Sequence, residues 1–568
     1  MILIILIIII ILILLIYEIS KTSSYKPQNI LSEVDIIIVG AGTAGCVVAR
    51  RLSERFPNKR ICVLERGGNY TNNPVVYNPK NATTAAYSKP FSQVLTTNFP
   101  NVNISLASMF GGGSSHNFSL AVFGSPNFYN TEWGPILNTT YVQLQPIFTK
   151  INTMITISPL PQSIDLKTSI LPVLSKGFPT TIKSFNIFSN MGPLRANDAF
   201  SDSITSSIAK TKGVPISESY NGNIVNCTSK IPEVFIDFVT GIRQETFSKY
   251  LPNDYLTKAK NLVIVPNANV LSITSKSVRW LDSNGEENQT YTKKIILAAG
   301  AVYTPFILLK SGFNGNGRIG KDLINSYGCQ CICSVDSTSN SFPEFSSGPV
   351  SFVPYFPESQ TRDWQVVVTG SVDKRLLEGQ PPTNEFSKLT FSFLLWRLNC
   401  RSRGEVREVQ ENSNIPQVDL NMFTDGDLTD PNSDISSILA GLRWLYEVIT
   451  MVRKDYPSIS VLYPPESKLI ENNSEVLVEY IKNSVSVTDH YCHTVPLGTV
   501  VDPKNFRLMG FPTSKAEQGN PASKAEPGTP SISVVDASVF PQISDGNTTY
   551  PVLVMAEIAA ERIIKDLI

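Results

Sequence analysis

Histidine is scarce in this chain of 568 residues: only His116, His490 and His493 occur. Eight cysteines are present, at 46, 62, 227, 329, 331, 333, 400 and 492, but they form no C-x-x-C pair. That removes the usual sequence basis for a zinc ribbon or a thioredoxin-type redox site, and no metal site is expected. Net charge is also missing, because Lys+Arg and Asp+Glu each total 48. Without a basic excess the chain offers no phosphate-binding face, so no nucleic-acid partner is expected. No repeat spans the chain. One short duplication, SKAEQGNP at 514–521 and SKAEPGTP at 523–530, is polar Pro/Gly sequence that cannot form a core and reads as a surface loop.

The composition that remains, 42% hydrophobic and 17% charged, is that of a globular protein. Single cores stop growing near roughly 250–300 residues, so two lobes are expected. Cys329, Cys331 and Cys333 alternate, so on a strand they share one face. The cysteines read as buried small side chains, or as a disulfide or two of undefined connectivity.

Every residue from Ile2 to Ile16 is Ile or Leu, with no Lys or Arg before the run and Tyr17 and Glu18 after it. Such a run fits a signal-peptide core of about 7–15 residues better than a spanning helix of about 20. Residues 1–24 are expected to be a signal peptide or, alternatively, a membrane anchor through residues 2–17. The body is then secreted or in the secretory pathway, touching membrane only through this segment if it is uncleaved. Nine N-x-S/T sequons, at Asn69, Asn81, Asn103, Asn117, Asn138, Asn226, Asn288, Asn472 and Asn547, agree with a glycoprotein. Asn117 and Asn547 fall in motifs placed at the site and are expected to be bare.

DIIIVG at Asp35–Gly40 reads as a buried parallel strand, Gly45–Phe56 as a helix, and RICVLE at Arg60–Glu65 as a second strand. Gly40-Ala41-Gly42-Thr43-Ala44-Gly45 lies between the first strand and the helix as G-x-G-x-x-G. Gly40 allows the tight turn, Gly42 lets backbone approach a pyrophosphate, and Gly45 permits close helix–strand packing. The helix N-terminus supplies free N–H groups for the phosphates. Glu65 ends the second strand, where a carboxylate accepts hydrogen bonds from ribose hydroxyls. Together they predict a Rossmann-type site for NAD or FAD rather than NADP. Further on, strands are expected at 261–266, 294–298, 389–395 and 531–535, an Asn284-Gly285 turn between the first two, and helices at 434–452 and 550–568.

Several motifs in order resemble the glucose-methanol-choline (GMC) oxidoreductase family, from about Asp35 to the C-terminus. They are FGGGSSHN at 110–117, followed by Trp133; GIRQETFSKYL at 241–251; AAGAVYTPFILLKSG at 298–312; SRGEV at 402–406; and VVDPKNFRLMG, VVDASVFP and GNTTYP between 500 and 551. The resemblance implies an α/β fold: a Rossmann-like FAD-binding domain over 30–155, 236–340 and 486–568, with an inserted antiparallel-sheet, α+β substrate domain over 156–235 and 341–485. It implies FAD, held by Gly40, Gly42, Thr43, Ala44, Gly45, Glu65, Gly112, Gly113, Ser114, Ser115, His116, Asn117, Val270, Asp536, Ala537, Asn547 and Thr548. It also implies an alcohol substrate and an electron acceptor, oxygen or another.

By position, His490 matches the family's catalytic histidine and Asn547 the second catalytic position, which is His or Asn. A neutral imidazole can take the hydroxyl proton while the carbon-bound hydrogen leaves as hydride for flavin N5. A second hydrogen-bonding group orients the alkoxide-like oxygen. His493 is placed to line the pocket. His116, in SSHN, looks like the variant of choline oxidase-like members, in which this histidine bonds covalently to the flavin. Three departures bear on the substrate: YCHTVPLG at 491–498 is nearer the HYHGG form of plant hydroxynitrile lyases, Ala107-Ser108 replaces the usual Gly-Arg, and the stretch from Gly312 to Ile319 is short. Two alternatives to an alcohol oxidase or dehydrogenase follow: a hydroxynitrile lyase that keeps FAD structurally, and a non-catalytic FAD-binding secreted protein.

Overall fold

The structure is a computed structural model. It describes residues 32–568 except 100–101, 160–198, 222–223, 230–232, 238–239, 337–348, 357–358, 360, 370–387, 409–412 and 511–530. The N-terminal apolar run and the 514–530 duplication therefore lie outside the described residues.

Two seven-stranded sheets organise the described residues. In the first, Leu262–Val265, Ile61–Leu64, Glu33–Val39 and Glu287–Leu297 run parallel in that order. The strand Glu287–Leu297 serves two partners along one edge. Its first half pairs antiparallel with Ser277–Leu281, and its last residues pair parallel with Ser531–Val534. Ile36, Ile37, Ile38 and Val39 are all buried, as a strand covered on both faces requires.

Two helices cover this sheet together. Thr43–Arg55 buries Val47, Val48 and Leu52, and the C-terminal helix Thr549–Leu567 packs on it with Leu553, Ala556 and Ala560 buried. Glu557 pins the pair from inside. Its fully buried carboxylate accepts from Arg51 Nε at 2.9 Å and Nη2 at 2.7 Å, and from Tyr250 Oη at 3.2 Å. Lys150 Nζ adds an ion pair at 2.7 Å.

The second sheet is antiparallel, in the order Ser460–Tyr463, Tyr327–Asp336, Lys388–Arg397, Trp364–Thr369, Val350–Val353 and Cys227–Ser229. Its outer face carries Cys329, Cys331, Cys333, Phe393, Trp364 and Val366 against the helices Asp434–Val452 and Ala199–Lys212. All eight cysteines are free and buried, so the first of the two cysteine readings holds.

One boundary moves. The strand Tyr327–Asp336 was expected within the first lobe, up to residue 340, but it is central in the second sheet, paired with Lys388–Arg397 from Tyr327↔Arg397 to Asp336↔Lys388. Ser486–Val487 joins the same strand. A strand's apolar pattern shows that it is buried; which sheet takes it is decided by partners far away in sequence.

Candidate active site

Glycines bring two loops into contact. Gly40 has φ +102°, and a β-carbon there would lie 2.5 Å from the Ala298 carbonyl oxygen. At Gly45 it would lie 2.0 Å from the Gly40 oxygen. The second loop, Gly111–Ser115, crosses the first: Gly111 N–H donates to the Ala41 carbonyl at 2.8 Å and Thr43 Oγ1 donates to the Gly111 carbonyl at 3.3 Å. Gly112, with φ +55°, leaves no room for a side chain, which would begin 2.7 Å from Gly42 Cα. At Gly113, by contrast, a β-carbon would meet nothing within 4 Å. Bare backbone thus borders open space beside a helix N-terminus, as a bound pyrophosphate requires.

Glu65 lies beside this crossing. One carboxylate oxygen accepts from Ala41 N–H at 2.8 Å and the other from Gly67 N–H at 2.7 Å. Each keeps a second lone pair for a ribose hydroxyl. Burial pushes its pKa up, and the two N–H donors oppose that. Ala268 N–H donates to the Glu65 carbonyl at 2.7 Å, which places half-buried Val270, two residues on, next to the same end of the sheet. These donors and this space fit FAD.

The rest of the second loop is built from its own side chains and Arg243. Ser114 Oγ donates to the Gly111 carbonyl at 2.7 Å and Ser115 Oγ to the Phe110 carbonyl at 2.8 Å. The buried Arg243 Nη1 donates to Asn117 O at 2.6 Å, Asn117 Oδ1 at 2.7 Å and Ser119 Oγ at 2.8 Å. His116 Nδ1 lies 3.0 Å from Ser92 Oγ, which itself donates to the Ala85 carbonyl at 2.8 Å. The Ser92 oxygen therefore accepts, Nδ1 carries the proton, and Nε2 keeps its lone pair. Burial, then the Arg243 charge, lowers His116 to about 4.

On the C-terminal side, His490 Nε2 lies 3.4 Å from Asn547 Nδ2. The His490 backbone N–H donates to Asn325 Oδ1 at 2.9 Å, and Asn547 Oδ1 accepts from Gln365 Nε2 at 3.0 Å. Asp489 and His493, with φ of +57° and +71°, hold the backbone on either side of His490 in the left-handed region, where non-glycine residues store strain at functional sites. Burial lowers His490 to about 4, well below the ordinary value near 6.5 that its sequence position suggests. It is thus neutral at pH 7, and the amide donor on Nε2 assigns the proton to Nδ1.

The remaining expected residues divide. Asn117 Nδ2 donates to Thr549 Oγ1 at 2.9 Å, which joins the Gly/Ser loop to the helix start at Thr548. Asp536 spends its carboxylate on Gly300 N–H at 2.9 Å, Thr304 Oγ1 at 2.6 Å and Ser538 N–H at 2.8 Å, so it fixes the Ala537 turn. His493 Nδ1 donates to the Phe540 carbonyl at 2.8 Å and braces that same turn. Sequence reasoning missed Arg243, Ser92, Asn325 and Gln365. Arg243 alone had a signal, since it stands inside GIRQETFSKYL.

Known proteins resemble this chain along nearly its whole length. An alcohol dehydrogenase [acceptor] of Pseudomonas putida is 24% identical over 94% of this chain and 96% of its own length. A pyranose dehydrogenase 3 of Leucoagaricus meleagris is 23% identical over 95% and 94%. Among solved structures, a formate oxidase of Aspergillus oryzae, studied for its FAD modification, superposes with TM-score 0.68 at 20% identity over 94% of this chain and 99% of its own. The family model described as GMC oxidoreductase matches residues 34–327, and with the glycine crossing and Glu65 in place the chain belongs to the GMC oxidoreductases, with FAD as its cofactor.

Proposed function

We propose that this enzyme oxidises the CH–OH group of a small alcohol, with His490 as the base and Asn547 as its hydrogen-bonding partner. The observation that carries the reading is the 3.4 Å contact between His490 Nε2 and Asn547 Nδ2. That distance is long for a hydrogen bond, and the two nitrogens are close enough together for one substrate hydroxyl seated beside them to reach both. Its proton then points to the Nε2 lone pair, and its oxygen accepts from Nδ2. As the carbonyl forms, the proton passes to Nε2 and the amide holds the oxygen on which charge develops. FAD, when bound, supplies the acceptor for the carbon-bound hydrogen. The names of the relatives, alcohol dehydrogenase and pyranose dehydrogenase, support a hydroxyl-bearing substrate.

The test is turnover of an alcohol and polyol panel by wild type and His490→Ala. Loss of a general base costs about 10²–10⁴-fold. Unchanged turnover in His490→Ala contradicts the assignment.

A further inference from the structure

Gln365 lies on the strand Trp364–Thr369 of the second sheet and is fully buried. Phe352 and Trp396 stand directly beside it in register on the neighbouring strands. Cross-strand partners share a sheet face, so a single amide is set in an aromatic wall. That wall closes on the turn before the C-terminal helix, where a β-carbon at Gly546 would meet Val122 Cγ1 at 2.4 Å and the Phe352 ring at 3.5 Å. Here Gln365 Nε2 donates to Asn547 Oδ1 at 3.0 Å, while Gln365 Oε1 has no partner among the described residues. A half-satisfied buried amide costs stability that an apolar side chain would not, so its presence calls for a role.

We infer that Gln365 is a positioning residue that fixes the orientation of the Asn547 amide and, through it, the lone pair on His490 Nε2. This rests on reading His490 and Asn547 as the reactive pair. Gln365 Nε2 can only donate, so it selects Asn547 Oδ1 and turns Nδ2 toward His490. An N–H facing Nε2 is compatible only with an unprotonated Nε2, the form able to take a hydroxyl proton. Without Gln365 the Asn547 amide is free to turn over. Its oxygen then faces Nε2 and favours the Nε2–H tautomer or the imidazolium, and neither can act as the base.

The test uses FAD-loaded Gln365→Leu and Gln365→Met, the second keeping length without a donor. The rate of anaerobic flavin reduction by alcohol is measured in each. The limiting rate is expected to fall about 10-fold or more with half-saturation little changed, as for a lost positioning contact. The acid limb of the rate–pH profile is expected to move to higher pH, because an oxygen facing Nε2 stabilises the imidazolium. In an Asn547→Ala background, Gln365→Leu is expected to add less than about 2-fold, since the two act as one unit. A merely structural Gln365 would lower the melting temperature or flavin content while leaving the rate per bound flavin and the pH profile unchanged, with losses additive to Asn547→Ala; that result overturns the inference. An unimpaired His490→Ala would instead overturn the reading of the reactive pair, and this inference with it.

Discussion

Asn117 Nδ2 donates to Thr549 Oγ1 at 2.9 Å, across 432 residues of sequence. The bond ties the loop that carries His116 to the helix whose preceding turn carries Asn547. Asn117 Oδ1 meanwhile accepts from Arg243 and from the Ser119 N–H at 3.0 Å. One amide therefore registers the Gly/Ser loop, the buried Arg243 and the C-terminal turn that carries Asn547. It follows that Asn117→Leu should lower stability by about 1–3 kcal/mol, because buried partners lose their hydrogen bonds. Denaturant unfolding of the FAD-loaded protein checks this, and flavin occupancy should fall in parallel.

The pH dependence of catalysis has a definite sign. With His490 lowered to about 4 by burial, the proposed base is neutral throughout the neutral range. The rate should stay flat as pH falls toward 5, then drop as pH passes through about 4, where the imidazole takes up a proton. An acid limb near pH 6.5 would place the imidazole in water instead. The profile of kcat/KM, which reports the free enzyme, is the measurement.

Asp489 carries the opposite sign. Burial raises its carboxyl to about 6, above the unfolded value of about 3.9. The folded state then binds more protons than the unfolded state between these values, so this group lowers stability as pH rises from about 4 to 6. Asp489→Asn, which can still accept from Tyr491 Oη at 2.7 Å, should be relatively more stable than wild type at pH 7 than at pH 4. Melting temperatures at the two pH values decide it.

Glu557→Ala removes the acceptor shared by Arg51, Tyr250 and Lys150. Arg51 and Lys150 lie near the surface and regain water, so the cost should be about 1–3 kcal/mol rather than the larger loss that follows a stranded buried charge. Chemical denaturation measures it. A change below about 0.5 kcal/mol would mean that the cluster holds nothing.

His116 Nε2 has a free lone pair because Nδ1 is committed to Ser92. We propose that this nitrogen is the point of covalent attachment to a flavin methyl carbon, whose C–H proton would leave to solvent while its electron pair would pass to the flavin ring and on to the enzyme's electron acceptor. After acid precipitation the yellow colour should stay in the pellet, and in His116→Ala it should pass to the supernatant.

Much of the frame was legible because its causes are local. The glycine spacing dictates the turn from 40 to 45 whatever surrounds it, and the helix Asp434–Val452 starts where Ser433 caps Ser436 N–H. His490 and Asn547 were legible through motif position alone, and the structure brings them together. Gln365 was not. A glutamine in a strand has no periodic signature, and its partner lies 182 residues away. The same holds for Tyr327–Asp336, whose apolar alternation marks a buried strand without naming its sheet. Burial also set the His490 pKa, and no neighbouring residue in sequence reveals that.

An FAD-carrying site in which His490 and Asn547 receive an alcohol has a direct signature on anaerobic mixing of the purified, FAD-loaded protein with alcohols. The yellow flavin absorbance should bleach with at least one alcohol, and do so far more slowly in His490→Ala. A flavin that stays yellow across the panel, as in a lyase that keeps FAD structurally, or protein that takes up no FAD, would contradict it.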